Sequence, residues 1–146
     1  MTTAVHQIVR VDDGRWLASD LFHDTFGQTP PDEPAHYVAF QREHPSLFRV
    51  IGYFHVRFRL EYALVGGLCV DPAFRGTGVG QALELAPERD AGDVKAFFAH
   101  AGNPARAERI GYRATGHGHL LVKWLQPVAA AEAERLISEV AVLGPF

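Results

Sequence analysis

Between Gly52 and Leu60 the chain alternates. Gly52, Phe54, Val56, Phe58 and Leu60 interleave with Tyr53, His55, Arg57 and Arg59. A period of two is that of a strand, so this run predicts an apolar core face and a polar face. Tyr62 to Val70 drops the alternation and is apolar almost throughout. That predicts a strand covered on both faces, at the centre of a sheet. Ala4–Val11, His36–Arg42 and Val94–Ala99 read as further strands, with Glu43-His44-Pro45-Ser46 as a turn. Tyr112–Thr115 and His119–Leu125 read as a hairpin across Gly116-His117-Gly118.

Helical signals fall between these runs. Asp12 or Asp13 can cap a helix that buries Trp16, Leu17 and Leu21 and ends at Gly27. Gln28–Pro34 is a loop, because its prolines deny both helix and ladder. Val79 starts a helix that must stop or kink near Ala86, since Pro87 follows. Pro104–Ile110 is a short helix with Asn103 as its cap and Pro104 at the first helical position. Pro127 opens a last helix, with Leu136, Ile137, Val140 and Leu143 on one side and Glu132, Arg135 and Glu139 on another. The sum is an α+β fold with a mixed sheet and one strand–helix–strand crossover.

Composition changes this picture little. With 146 residues, 47% hydrophobic and 21% charged, the chain reads as one soluble domain. A net charge of −3 gives no reason to expect nucleic acid. One cysteine allows no internal disulfide, and no Cys/His spacing suggests a metal site. The N-terminus lacks a basic-then-apolar signal and no run is long enough to span a bilayer, so a cytoplasmic location, without membrane partners, is expected.

The candidate chemistry sits after the central strand. Arg75-Gly76-Thr77-Gly78-Val79-Gly80 places three alternating glycines behind an arginine and at the start of a helix. Exposed amides and the positive end of a helix dipole form an anion cradle there, most often for phosphate. A nucleoside-triphosphate loop needs Lys-Ser or Lys-Thr next, and here Gln81-Ala82 follow. A dinucleotide fingerprint needs a third glycine where Gln81 stands. A bare glycine-rich turn would spend backbone entropy three times for nothing.

The pattern Val70-x-Pro72-x-x-Arg75-Gly76-x-Gly78-x-Gly80-x-x-Leu83 resembles the acyl-CoA-binding motif of the GNAT acetyltransferase superfamily. Asn103-Pro104-x-x-x-Ala107 and Gly111-Tyr112 resemble that family's second signature, and the order of elements fits from about Ala4 to Leu125. The resemblance implies a mostly antiparallel sheet with a splayed strand pair and flanking helices. It implies an N-acetyltransferase domain over residues 1–126, with acetyl-CoA as co-substrate and no metal. Residues 127–146 would be an extra helix, packed on the same domain or on a second subunit of a homodimer. The amides of Arg75, Gly76, Thr77, Gly78, Val79 and Gly80 would hold the pyrophosphate. The backbone of Leu68, Cys69 and Val70 would pair with the pantetheine arm, one amide polarising the thioester carbonyl. Asn103 would contact the arm from its other side.

The implied reaction is direct attack by the amine of a small molecule or peptide, which must first lose a proton. His100, just past its strand, and His117, in the hairpin turn, are the candidate bases. His55, Arg57 and Arg59 read as a solvated strand face, and Glu61 as part of a turn. Members of the family often carry a Tyr four residues before the Gly-Phe; Ala107 stands there, and the Asn-to-Gly spacing is about one turn short. Cys69, alone in an apolar strand, reads as core and not as an acyl-accepting nucleophile. The Gln28–Pro34 loop would border the acceptor. A non-catalytic acyl-CoA-binding or sensing domain is the alternative.

Overall fold

A computed structural model describes residues 6–12, 18–31, 35–100, 103–144 and 146. Seven strands among them form one sheet: β1 (His6–Val11), β2 (Ala35–His44), β3 (Leu47–Phe58), β4 (Tyr62–Val70), β5 (Ala96–His100), β6 (Arg113–Ala114) and β7 (Leu120–Trp124). Their order is β1-β2-β3-β4-β5-β7-β6, so β4 is the central strand, as its apolar run predicts. The ladders β1–β2, β2–β3, β5–β7 and β6–β7 are antiparallel, and β4–β5 is parallel. The helices are α1 (Ser19–Phe26), α2 (Val79–Leu85), α3 (Pro104–Glu108) and α4 (Ala130–Ala141). None of the described helices is long and apolar enough to cross a membrane.

The chain divides into two compact units. The first comprises Met1–Val56 and Gly67–Asp90. Here Phe22 of α1 packs with Val38, Tyr53 and Cys69, while Val79 and Leu83 bury the inner face of α2. Gly27 ends α1 in a left-handed conformation, φ 70°, as a helix-stopping glycine should. Asp12 does not cap α1, whose N-cap is Ala18; the Asp12 carboxylate instead accepts from Arg10 Nε at 2.7 Å. The expected cap at Asp13, the apolar face at Trp16 and Leu17, and the end of the loop at Asp32–Pro34 lie outside the described residues. The chain turns to 3-10 helix from Ala86 to Asp90, where Pro87 interrupts α2. Tyr37, fully buried on β2, donates its hydroxyl to Asp90 Oδ2 at 2.7 Å.

Two expectations for this unit change. Glu43 and His44 belong to β2, and β3 already begins at Leu47, so the turn is only Pro45-Ser46. The polar face expected for β3 is also covered: Tyr53 and His55 are buried. Phe22 lies edge-on to Tyr53, with ring centroids 5.3 Å apart, so α1 covers a face that alternation alone assigns to solvent.

The second unit comprises Arg57–Gly66 and Ala91–Phe146. Leu64, Ala96, Phe98, Leu120 and Val122 form its core, and Leu136 and Val140 of α4 complete it. Helix α4 thus packs on the strands of its own chain. Its apolar stripe is shorter than the sequence suggests, because Leu143 is exposed beyond the helix end. Leu60 lies in the β3–β4 turn and is 95% exposed, not on a core face. Glu61 lies in the same turn and meets Lys95 Nζ at 3.3 Å and Arg135 Nη2 at 2.9 Å.

Candidate functional site

Strand β4 ends at Val70, and the carboxylate of the next residue, Asp71, does two jobs. Oδ1 accepts the Ala73 amide at 2.9 Å, capping the single turn Pro72–Phe74. Oδ2 lies 2.6 Å from Arg49 Nη2, and the Arg49 guanidinium sits 5.7 Å from the centre of the Phe74 ring. The chain leaves this anchored turn into the glycine loop.

Within the loop, Gly76 has φ 77° and Gly78 has φ 89°. Among the described residues, and apart from each glycine's own chain neighbours, no atom lies within 4 Å of a Cβ built at either position. The glycines therefore answer to backbone conformation and to open space above the loop, not to packing beneath it. Gly78 is the N-cap of α2 and offers no side chain to its amides. The first helical bond runs from the Ala82 amide to the Gly78 carbonyl at 3.0 Å, so the amides of Val79, Gly80 and Gln81 precede any intrahelical partner. Gly80 is an ordinary helical residue, absent from the positive-φ set. Helix α2 is seated by a close approach: a Cβ at Gly52 of β3 would fall 2.6 Å from Leu83 Cδ1.

The second feature is a kink in β4. Its described ladder with β5 runs from Tyr62–Ala96 to Val65–Ala99, yet β4 continues to Val70. Gly67, two residues past the last pair, has φ 68° inside the strand. A left-handed residue turns the strand's hydrogen-bonding edge, as a bulge does. The pair Gly66-Gly67 in an apolar strand is the signal that could have located this point from sequence alone.

A polar cluster lies behind the kink. His36 of β2 stands opposite His55 of β3. His36 Nδ1 and the Tyr53 hydroxyl share a 2.6 Å hydrogen bond. A Cβ at Gly67 would fall 2.5 Å from His55 Cδ2 and 2.7 Å from its Nε2, so this imidazole rests against the kinked backbone.

A strand, an anchored arginine-glycine loop and a helix start thus stand in the order that the sequence motif requires. The family model for the acetyltransferase (GNAT) family matches residues 4–107. The chain belongs to this family. No curated protein matches it in sequence. Solved structures extend the likeness to the fold. A candidate N-acetyltransferase from Lactobacillus plantarum superposes with a TM-score of 0.67 at 21% identity, covering 84% of this chain and 99% of that one. Rv2747 from Mycobacterium tuberculosis, in complex with CoA and NLQ, gives 0.62 at 17%, covering 94% and 89%. The GNAT protein YhbS from Escherichia coli, in complex with CoA, gives 0.59 at 20%, covering 85% and 82%.

The segment that resembles a second GNAT signature carries α3, which ends at Glu108 and not at the expected Ile110. Asn103 caps α3, its Oδ1 accepting the Arg106 amide at 3.3 Å. Ala107 and Tyr112 are both buried, so Tyr112 is a core residue. His100 is the last residue of β5, not a residue beyond it. Its Nε2 lies 3.1 Å from the Gly144 carbonyl and therefore donates, and its ring lies tilted against that of Phe146, with centroids 4.5 Å apart. His117 is exposed in the turn before β7, its amide donating to Thr115 Oγ1 at 3.1 Å. Leu68 and Val70 are half-buried and Cys69 is buried on β4. Burial pushes the Cys69 thiol up to about 12, against a smaller opposing effect of Thr25. A thiol so protonated is a poor nucleophile at neutral pH, which agrees with the core reading. Among the described residues no group of acids, histidines and cysteines is placed to hold a metal.

Proposed function

We propose that the chain transfers an acetyl group from acetyl-CoA to the amine of a small molecule or peptide by direct attack. The observation that carries this is the Arg75–Gly80 loop of a GNAT chain, with two left-handed glycines over open space and the first amides of α2 preceding any intrahelical partner. Such a loop suits a pyrophosphate, held by backbone N–H groups and the helix dipole, with Arg75 available to pair with phosphate. Leu68, Cys69 and Val70, on the stretch of β4 that follows its last described pair with β5, would offer backbone groups to the pantetheine arm. An amide there would polarise the thioester carbonyl. The CoA complexes of the two fold neighbours support the same donor.

The acceptor must arrive neutral. For a lysine-type amine, deprotonation at pH 7 costs about 4.6 kcal/mol, and for an α-amino group about 1–1.4 kcal/mol. A base within reach of the amine would supply this step.

Ala107 favours a second reading. With a buried alanine where relatives often carry the tyrosine that protonates the leaving thiolate, the chain could bind acyl-CoA without turning it over. Calorimetry with CoA, on the native chain and on Gly78→Val, tests binding. The native chain is expected to bind and the variant to lose at least about tenfold, since valine is strained at this φ. Release of free CoA from acetyl-CoA over a panel of amines then separates an enzyme from a sensor. Absence of CoA binding by the native chain rejects both readings.

A further inference from the structure

We propose that His55 accepts the proton that the acceptor amine loses, an inference that rests on the acetyl-transfer reading above. With pyrophosphate at the loop after β4, an arm pairing with Val70, Cys69 and Leu68 runs back along that strand. Its acyl end then arrives at Gly67. This is the residue where β4 kinks, and the imidazole of His55 rests against it. The kink and the imidazole are matched. Only glycine leaves room for the ring, because a Cβ there would also fall 2.9 Å from Phe22 Cε2.

The setting suits proton transfer. His55 is 7% exposed, within the unit that carries the loop, and has both aromatic and polar neighbours. His36 faces it from β2, and Tyr53 stands two residues earlier on β3 with ring centroids 6.0 Å apart. Helix α1 brings Phe22, while its Asp20, His23 and Asp24 are exposed. Histidine is the side chain whose ordinary titration range spans neutral pH, which is what a base for an ammonium acceptor needs.

The step balances as follows. The ammonium gives one proton to the His55 imidazole, and the amine lone pair forms an N–C bond to the thioester carbonyl carbon. The C–S bond breaks, its electron pair leaving with sulfur. The second proton on nitrogen passes to the thiolate, yielding amide and free CoA thiol, and the imidazolium returns its proton to water.

The test is the pH dependence of kcat/KM over a series of amines with different pKa values, in the native protein and in His55→Gln. In the native protein an ionisation is expected that stays at the same pH whichever amine is used. His55→Gln removes it and lowers kcat/KM at pH 7 by about 10²–10⁴-fold, with CoA affinity by calorimetry unchanged. A native profile that simply tracks each amine's own pKa overturns the assignment without any variant. So does His55→Gln activity within about threefold of native, or loss of the ionisation in His100→Gln instead. Native protein that neither binds CoA nor releases it from acetyl-CoA overturns the acetyl-transfer reading itself.

Discussion

Arg49 and Asp71 lock the exit of the central strand: Nη2 and Oδ2 stand 2.6 Å apart. The same carboxylate caps the Pro72–Phe74 turn through the Ala73 amide. Asp71 thereby fixes where the chain enters the glycine loop. Asp71→Ala is expected to cost about 1 kcal/mol of stability through the lost cap. Its larger effect should be on CoA, with affinity falling about tenfold as the loop loses its starting geometry. Asp71→Asn keeps a capping oxygen and should preserve most of the stability. Urea denaturation and CoA calorimetry on the three proteins check both expectations; equal CoA affinity throughout would mean the loop holds its shape unaided.

Gly67 and Gly27 have nearly the same backbone angle, φ 68° and φ 70°, in opposite surroundings. Among the described residues a Cβ at Gly27 meets nothing within 4 Å beyond its chain neighbours, whereas one at Gly67 meets the His55 and Phe22 rings. Gly27→Ala should therefore cost only the conformational strain, about 1–2 kcal/mol. Gly67→Ala adds overpacking of about 1–3 kcal/mol to that strain, so its melting temperature should fall well below that of Gly27→Ala. Equal melting temperatures would show that the rings move aside freely.

The sequence was most legible where a single local rule decides the structure. Tyr62–Val70 is a strand at both of its predicted bounds, Asn103 caps α3, and Gly27 ends α1. Each follows from composition or from the chemistry of one residue. The face of β3 was not legible, because alternation cannot say what covers the polar side; Phe22, distant in sequence, decides it. Leu60 was misplaced because period two runs on through a turn that no glycine or proline marks. In the candidate site, the Arg75–Gly80 loop was readable from its motif. The kink at Gly67 and the imidazole against it depend on contacts between strands, which a linear pattern does not carry.

Leu136 is fully buried and belongs to the core with Leu64, Phe98 and Val122. Leu136→Ala should therefore cost about 2–5 kcal/mol, through lost transfer energy and an unfilled cavity. Because these contacts lie within one chain, the loss should be the same at every protein concentration. Chemical denaturation over a wide range of concentration checks this. A deficit that shrinks as concentration rises would place the helix on a second subunit.

Glu132 closes an exposed charge network. Arg135 Nη2 lies 2.6 Å from its Oε1 and Lys95 Nζ 2.9 Å away. Hydrogen bonds from Arg135, and then from Lys95, hold this carboxyl down to about 2 from an ordinary 4.5. The folded state thus binds the proton more weakly than the unfolded one. The stability gained is fully present above about pH 4.5 and drains away as pH falls toward 2. Solvent screening keeps the gain small and sensitive to salt. Glu132→Gln should be modestly less stable than the native protein at pH 7 and low salt. The two stabilities should converge as the solution is acidified through that window, and also on adding salt at pH 7. Urea denaturation along both axes measures this, and a deficit that persists undiminished in acid would assign the effect of Glu132 to packing, not to charge.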